Sequence, residues 1–213
     1  MSNLEELVNR FHPTVICHSA VAAEIAAVCE DMYLTDLYPV DYNGTYYLDG
    51  FRLDTFHGTH KAQRFTWKSS MAAPDGISQS EKLKRLHTLG SPFNMNFILN
   101  LSNGFSLAFV GGNDDGMEEQ VRKFRPNVAL RNKITNPMDV DAVAGDWLGF
   151  MKESYSQYVI PMHYEVWENM NPGFSKQTFD KANEMAVEEG IATRMLWPER
   201  TVWYRLFLGW TKL

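Results

Sequence analysis

The sequence lacks the features typical of proteins that span membranes, enter the secretory route or bind nucleic acid. No stretch approaches the run of about 18 apolar residues that a membrane helix needs, and residues 1–10 are polar and acidic. Lysine and arginine occur at most in adjacent pairs, and the net charge of −6 gives no basic field for a phosphate backbone. We therefore expect a cytoplasmic protein that binds neither membrane nor nucleic acid.

Cysteine is scarce. Cys17 and Cys29 are the only two, and their spacing fits neither a CxxC zinc or redox motif nor a dense disulfide framework. Both are predicted to be reduced thiols in a core.

A length of 213 residues with 45% hydrophobic and 22% charged residues is ordinary for one globular domain, so residues 1–213 are expected to form one domain.

Hydrophobic spacing and turn residues predict a layered α/β protein. A helix at 4–11 is followed by a strand at 14–17 and an alanine-rich helix at 20–29. A β-meander is expected over 34–37, 45–48 and 51–55, and a hairpin over 94–101 and 106–110. The remainder alternates between helices (117–124, 139–155, 176–189) and strands (127–130, 158–160, 193–196).

Residues 62–93 are polar and irregular, and prolines and glycines interrupt them. A connection of this length is usually an insertion or a lid over a functional site.

Potential metal ligands follow three of the predicted strands. His57 and His60 come after the strand at 51–55, an Asn-Asp-Asp run at 113–115 follows 106–110, and His163 follows 158–160. Imidazole and carboxylate groups are the ligands that zinc, manganese and iron take from proteins. Any one of these histidines on its own would be read as an ordinary hydrogen-bonded side chain.

The order of these motifs resembles the later motifs of the metallo-β-lactamase superfamily. The likeness is strongest in Val-Ile-Pro-Met-His-Tyr at 159–164, which is similar to the strand and loop that bear the last metal-binding histidine in lactonase-like members. The resemblance implies part of an αββα sandwich, with mixed sheets between outer helices and with the N-terminal strands missing.

By the same resemblance, His60 and His163 are metal ligands, and His57 is a less favoured substitute for His60. The implied cofactor is a divalent metal, zinc in the first place, with manganese or iron also suited to such ligands. Lys61, Arg64 and Tyr164 are candidates for binding the substrate. His18 is expected to pack near the helix that follows it.

Two departures from the family pattern leave alternatives open. Glycine stands at Gly112, where the family has its bridging aspartate, so either Asp114 reaches the metal from a shifted loop or the bridge is lost. The family's two histidines separated by one residue, followed by an aspartate-histidine pair, do not occur. Met1 is then an internal methionine of a longer protein or the start of a naturally shortened form.

The leading hypothesis is a metal-dependent hydrolase that activates water against a small ester, lactone, amide or phosphoester. The alternative is a non-catalytic remnant of the fold that binds a small molecule or a partner. A third idea is that the chain pairs with another copy to cover sheet surface left bare by the missing strands.

Overall fold

The structure is a computed structural model that describes residues 4–28, 36–58, 94–111, 117–132, 139–162, 164, 168–169 and 171–198. The elements in chain order are α1 (Leu4–Phe11), β1 (Val15–His18), α2 (Ser19–Val28), β2 (Leu37–Val40), β3 (Thr45–Leu48), β4 (Phe51–His57), β5 (Met95–Leu101), β6 (Ser106–Val110), α3 (Glu118–Phe124), β7 (Val128–Asn132), α4 (Val140–Ser154), β8 (Tyr158–Met162), α5 (Phe174–Glu188) and β9 (Arg194–Met195). This is an α/β fold, as expected.

A seven-stranded mixed sheet, in the order β3-β4-β5-β6-β7-β8-β9, forms the centre of the described structure. Strands β3 to β6 are antiparallel neighbours joined in part by tight turns, and Gly50 and Gly104 supply the positive φ angles of 81° and 85° that those turns require. From β6 to β9 the strands are parallel because a helix connects each one to the next.

Strands β1 and β2 form a separate parallel pair joined through α2. The expected meander is therefore wrong in its first strand, which lies at Leu37–Val40 instead of 34–37 and pairs with β1. In a strand-helix-strand unit the second strand usually lies parallel to the first. This packing outweighs the turn signal at Asn43-Gly44, which favoured a hairpin.

Helices α3, α4 and α5 cover one face of the large sheet. Trp147 of α4 and Phe179 of α5 are buried there and meet edge to face, with ring centroids 5.8 Å apart. Ile98, Ala129 and Val159 contribute the sheet side of this core. Burying large side chains of this kind is worth about 1.5–3 kcal/mol each, so this cluster is the main source of stability in the described structure.

The opposite face of β3, β4 and β5 packs against the small β1-β2 sheet. Leu53 and Met95 meet Val40 in this second core. The far side of the small sheet is covered by α1 and α2, through Val8 and Ile25 among others. In this part of the molecule the layers are therefore helix, sheet, sheet and helix.

Three strands reach further than their sequence patterns predict: β4 continues to His57, β7 to Asn132 and β8 to Met162. In each case pairing with a neighbouring strand holds the extra residues in the ladder. Within the described ranges, no helix is long and apolar enough to cross a membrane. The predicted insertion at 62–93 lies outside the described residues.

Candidate functional site

One edge of the large sheet contains the ends of four strands that run in the same direction. Strand β5 is antiparallel to both β4 and β6, so β4 runs in the same direction as β6, β7 and β8. These four strands end at His57, Val110, Asn132 and Met162. We call this the carboxyl edge, and it is where open α/β sheets bind their ligands.

The small sheet ends beside the carboxyl edge. The ring of Tyr42, just after β2, lies 4.5 Å from the ring of His18 at the end of β1 and 4.8 Å from that of His57 at the end of β4. His57 is exposed, whereas only 10% of the His18 side chain is accessible. Two imidazoles flanking a phenol therefore form a wall at this edge.

His18 is oriented by its neighbours. Its Nδ1 accepts a hydrogen bond from the backbone N–H of Ala20 at 3.1 Å, and its Nε2 lies 3.8 Å from Oδ1 of Asp41. The hydroxyl of Ser19 donates to the same carboxylate oxygen. Burial raises the pKa of the Tyr42 hydroxyl, so the phenol between the two imidazoles is neutral at neutral pH.

Asparagines and glycines line the points where strands leave the sheet. Gly58, directly after β4, donates its N–H to the carbonyl of Asn94 at 2.8 Å. A Cβ at Gly58 would lie 3.1 Å from side-chain atoms of Asn94 and Asn96, so a side chain here would fit only if these neighbours moved by a few tenths of an ångström. Gly111, directly after β6, is held by the side chains of Asn96 and Asn132.

The start of α4 also belongs to this edge. Asp139 caps the helix, since its Oδ1 accepts hydrogen bonds from the backbone N–H groups of Asp141 at 2.9 Å and Ala142 at 3.1 Å. A carboxylate in this position satisfies two backbone donors that have no partner inside the helix. The cap fixes where the chain leaves the loop after β7.

Most of the side chains predicted for the site lie outside the described residues: His60, Lys61, Arg64, Asp114 and His163. Their roles stay predictions. Tyr164 is described, and its ring packs with Trp197, 4.7 Å between centroids, and Phe179, 6.3 Å between centroids. The ring is therefore anchored in the helix-side core, next to the end of β8.

The residues described at this edge do not by themselves make a metal site. Among the parts of the chain that the structure describes, no three His, Cys, Asp or Glu side chains are grouped so as to hold an ion. Among the described residues, the buried Oδ1 of Asn132 has no hydrogen-bond partner. Together with Asn94 and Asn96, it makes the described part of this edge polar in character.

Sequence reasoning missed Asn96, Asn132, Asp41 and Tyr42. Asn96 lies in a strand whose odd-numbered residues are all apolar. This alternation accounts for a polar residue at position 96, but it does not predict what the side chain contacts. Asn132 lies beyond the predicted end of its strand. Pairing between strands that are distant in the sequence brings these residues together, and local sequence patterns do not predict such pairing.

The opposite edge contains a cleft of about 580 Å³ between the ends of α4 and α5, lined in part by Tyr155, Ser156 and Arg194. Its lining residues include no histidine and no carboxylate. Arg194 donates to the backbone carbonyl of Thr193 at 2.8 Å, which occupies part of its guanidinium. The described lining of the cleft therefore lacks the imidazole and carboxylate ligands that a metal site of the predicted kind needs.

A scan against protein-family models and a search of curated proteins each found no match for this chain.

Proposed function

We propose that the chain is a metal-dependent hydrolase with a metallo-β-lactamase-like αββα arrangement, and that its site lies at the carboxyl edge. The observation that carries the proposal is the convergence of β4, β6 and β8 on one edge, because the three candidate ligand loops begin where these strands end. The order of helix, sheet, sheet and helix also supports it.

The spacing of the strands is compatible with a shared site. Neighbouring strands are about 4.8 Å apart, so β6 lies about 10 Å from both β4 and β8. His60 follows the end of β4 by three residues, Asp114 follows β6 by four, and His163 directly follows β8. The exits of β4 and β8 are about 19 Å apart by the same spacing. An extended chain advances about 3.3 Å per residue, so the proposal requires the loops after β4 and β6 to bend toward β8 for the three side chains to meet.

In this proposal His60, Asp114 and His163 hold the ion. Bound there, a divalent metal supplies Lewis-acid polarisation of the scissile group and activates water. Lys61 and Arg64 bind the anionic part of the substrate through charge-assisted hydrogen bonds. Tyr164 binds the substrate through its hydroxyl, and packing against Trp197 keeps its ring in place.

The wall formed by His18, Tyr42 and His57 borders this site on the side of the small sheet. Its flat rings limit which substrates approach, and the exposed imidazole of His57 offers a hydrogen bond to a carbonyl or hydroxyl group. The wall gives the site a shape, whereas the loops provide its charge.

The test is hydrolysis of lactone, ester and phosphodiester substrates by the chain loaded in turn with zinc, manganese and iron. We expect turnover that a chelator abolishes and that metal restores, and we expect His60→Ala to remove it. His12→Asn is the matched control, since His12 is an exposed residue with a φ of 49° that asparagine tolerates. Metal-independent turnover, or none with any metal, would contradict the proposal.

A further inference from the structure

Asn96 connects the exits of two strands that are not neighbours. It lies near the start of β5, is 2% exposed, and accepts the backbone N–H of Gly111 on its Oδ1 at 2.9 Å. With Oδ1 used in this way, its Nδ2 faces the exit of β4, where a Cβ on Gly58 would lie 3.1 Å away. One buried amide thus contacts the chain as it leaves both β4 and β6.

Asn132 holds the other side of the same glycine. Its Nδ2 donates to the carbonyl of Gly111 at 3.0 Å, so it links the exit of β6 to the exit of β7. Both polar groups of Gly111 are therefore bonded to side chains instead of to a strand ladder. This is unusual, because most backbone groups near a sheet bond to backbone.

We propose that Asn96 and Asn132 are positioning residues that fix Gly111, and with it the direction in which the chain leaves β6 toward Asp114. The inference deepens the proposed function and rests on it. Hydrogen bonds that orient a metal ligand typically change metal affinity by about 10- to 100-fold when they are removed. In this scheme the asparagines touch neither the metal nor its ligands, and they act through Gly111, which lies three residues before Asp114.

The other end of the same strand pair offers a matched control. Asn127, just before β7, accepts the backbone N–H of Ser106 on its Oδ1 at 2.8 Å, at the start of β6. It fastens β6 to β7 just as Asn132 does, but at the opposite edge. A purely structural role predicts similar consequences for Asn127→Ala and Asn132→Ala, whereas a positioning role does not.

The experiment compares Asn96→Ala, Asn132→Ala and Asn127→Ala in the full chain, with two measurements. The first is amide hydrogen exchange in the metal-free protein, residue by residue. We expect Asn96→Ala to speed exchange at Gly111 by about fivefold or more, the loss of one hydrogen bond, and Asn127→Ala to speed it at Ser106 instead. The second is the dissociation constant for zinc.

Zinc should bind about 10- to 100-fold more weakly to Asn96→Ala and Asn132→Ala, and as tightly to Asn127→Ala as to the unsubstituted chain. Equal zinc affinity in all three variants, or unchanged exchange at Gly111 in Asn96→Ala, would overturn the positioning role. An unsubstituted chain that binds no zinc, manganese or iron would instead overturn the proposed function, and the exchange at Gly111 would still decide whether the asparagines fix it.

Discussion

The two edges of the large sheet are built differently. At the edge opposite the carboxyl edge, which we call the amino edge, the connections are short and described throughout. Gly50 and Gly104 turn the two hairpins there, and Arg125, Tyr155 and Gly190 end the helices with positive φ angles of 48°, 52° and 71°. At the carboxyl edge every connection from a parallel strand is longer, including residues 58–94 and 133–139.

Side-chain hydrogen bonds occur at both edges. At the amino edge, the hydroxyl of the buried Thr193 donates to the carbonyl of Ser156 at 2.6 Å, and Asn127 fastens the start of β6. Among the described residues, each edge also has a buried side-chain oxygen without a partner, Oδ1 of Asn132 at the carboxyl edge and Oγ of Ser156 at the amino edge. The two edges therefore differ in the lengths of their connections rather than in how completely their polar groups are paired.

The largest effect should come from His163, the residue directly after β8. We expect His163→Ala to weaken zinc binding by more than the roughly 100-fold that losing a hydrogen bond to a metal ligand costs. It should also remove turnover while leaving the thermal midpoint of the metal-free chain unchanged. Zinc titration and thermal unfolding check this. Tyr164→Phe is the control: it keeps the packing against Trp197, so metal affinity should stay the same while KM rises.

The next prediction concerns the amino edge and tests whether the two edges are independent of each other. Thr193→Val keeps the shape of a 4% exposed side chain but removes the hydroxyl that donates to the carbonyl of the buried Ser156 at 2.6 Å. Leaving that carbonyl without its donor should lower the free energy of unfolding by about 1–3 kcal/mol. Denaturant titration measures this. Zinc affinity should not change, and a loss of affinity would show that the edges are not independent.

Gly58→Ala tests the crowded exit of β4. The new methyl group would lie 3.2 Å from the carbonyl oxygen of Asn94, which is backbone and cannot easily move away. We expect a loss of about 1–3 kcal/mol, the usual range for overpacking, together with weaker zinc binding because the shift is passed to Asn96. Gly149→Ala is the control, because an added Cβ at this glycine of α4 would have nothing within 4 Å.

The smallest effect concerns Cys17, which is half-buried against the α1-α2 core. Burial raises the pKa of its thiol, so the folded chain favours the neutral form. Its contribution to stability is therefore full below the pKa of the unfolded thiol and is lost as the pH rises through the higher folded value. In Cys29→Ser, alkylation of Cys17 should be slower in the folded chain than in urea at pH 8.5, and equal rates would refute the burial.

Local patterns predict most of the elements because amphipathic spacing and turn residues reflect nearest neighbours. The helix at Val140–Ser154 and the strand at Ser106–Val110 agree with prediction within one residue at each end. The pairing of β2 with β1, and the contacts of Asn96 with two exits, depend on residues far apart in sequence, so they could not be found in this way. The candidate ligands were found from their positions after predicted strands, and their roles were assigned through a family resemblance, so these roles stay predictions.

The most direct test of the account is the metal content of the purified chain, measured by elemental mass spectrometry after dialysis against metal-free buffer. We predict close to one or two equivalents of a divalent metal, mainly zinc, and a marked loss in His163→Ala but not in His12→Asn. A chain that holds no metal, or one that holds the same amount in all three forms, would contradict a metal-binding carboxyl edge.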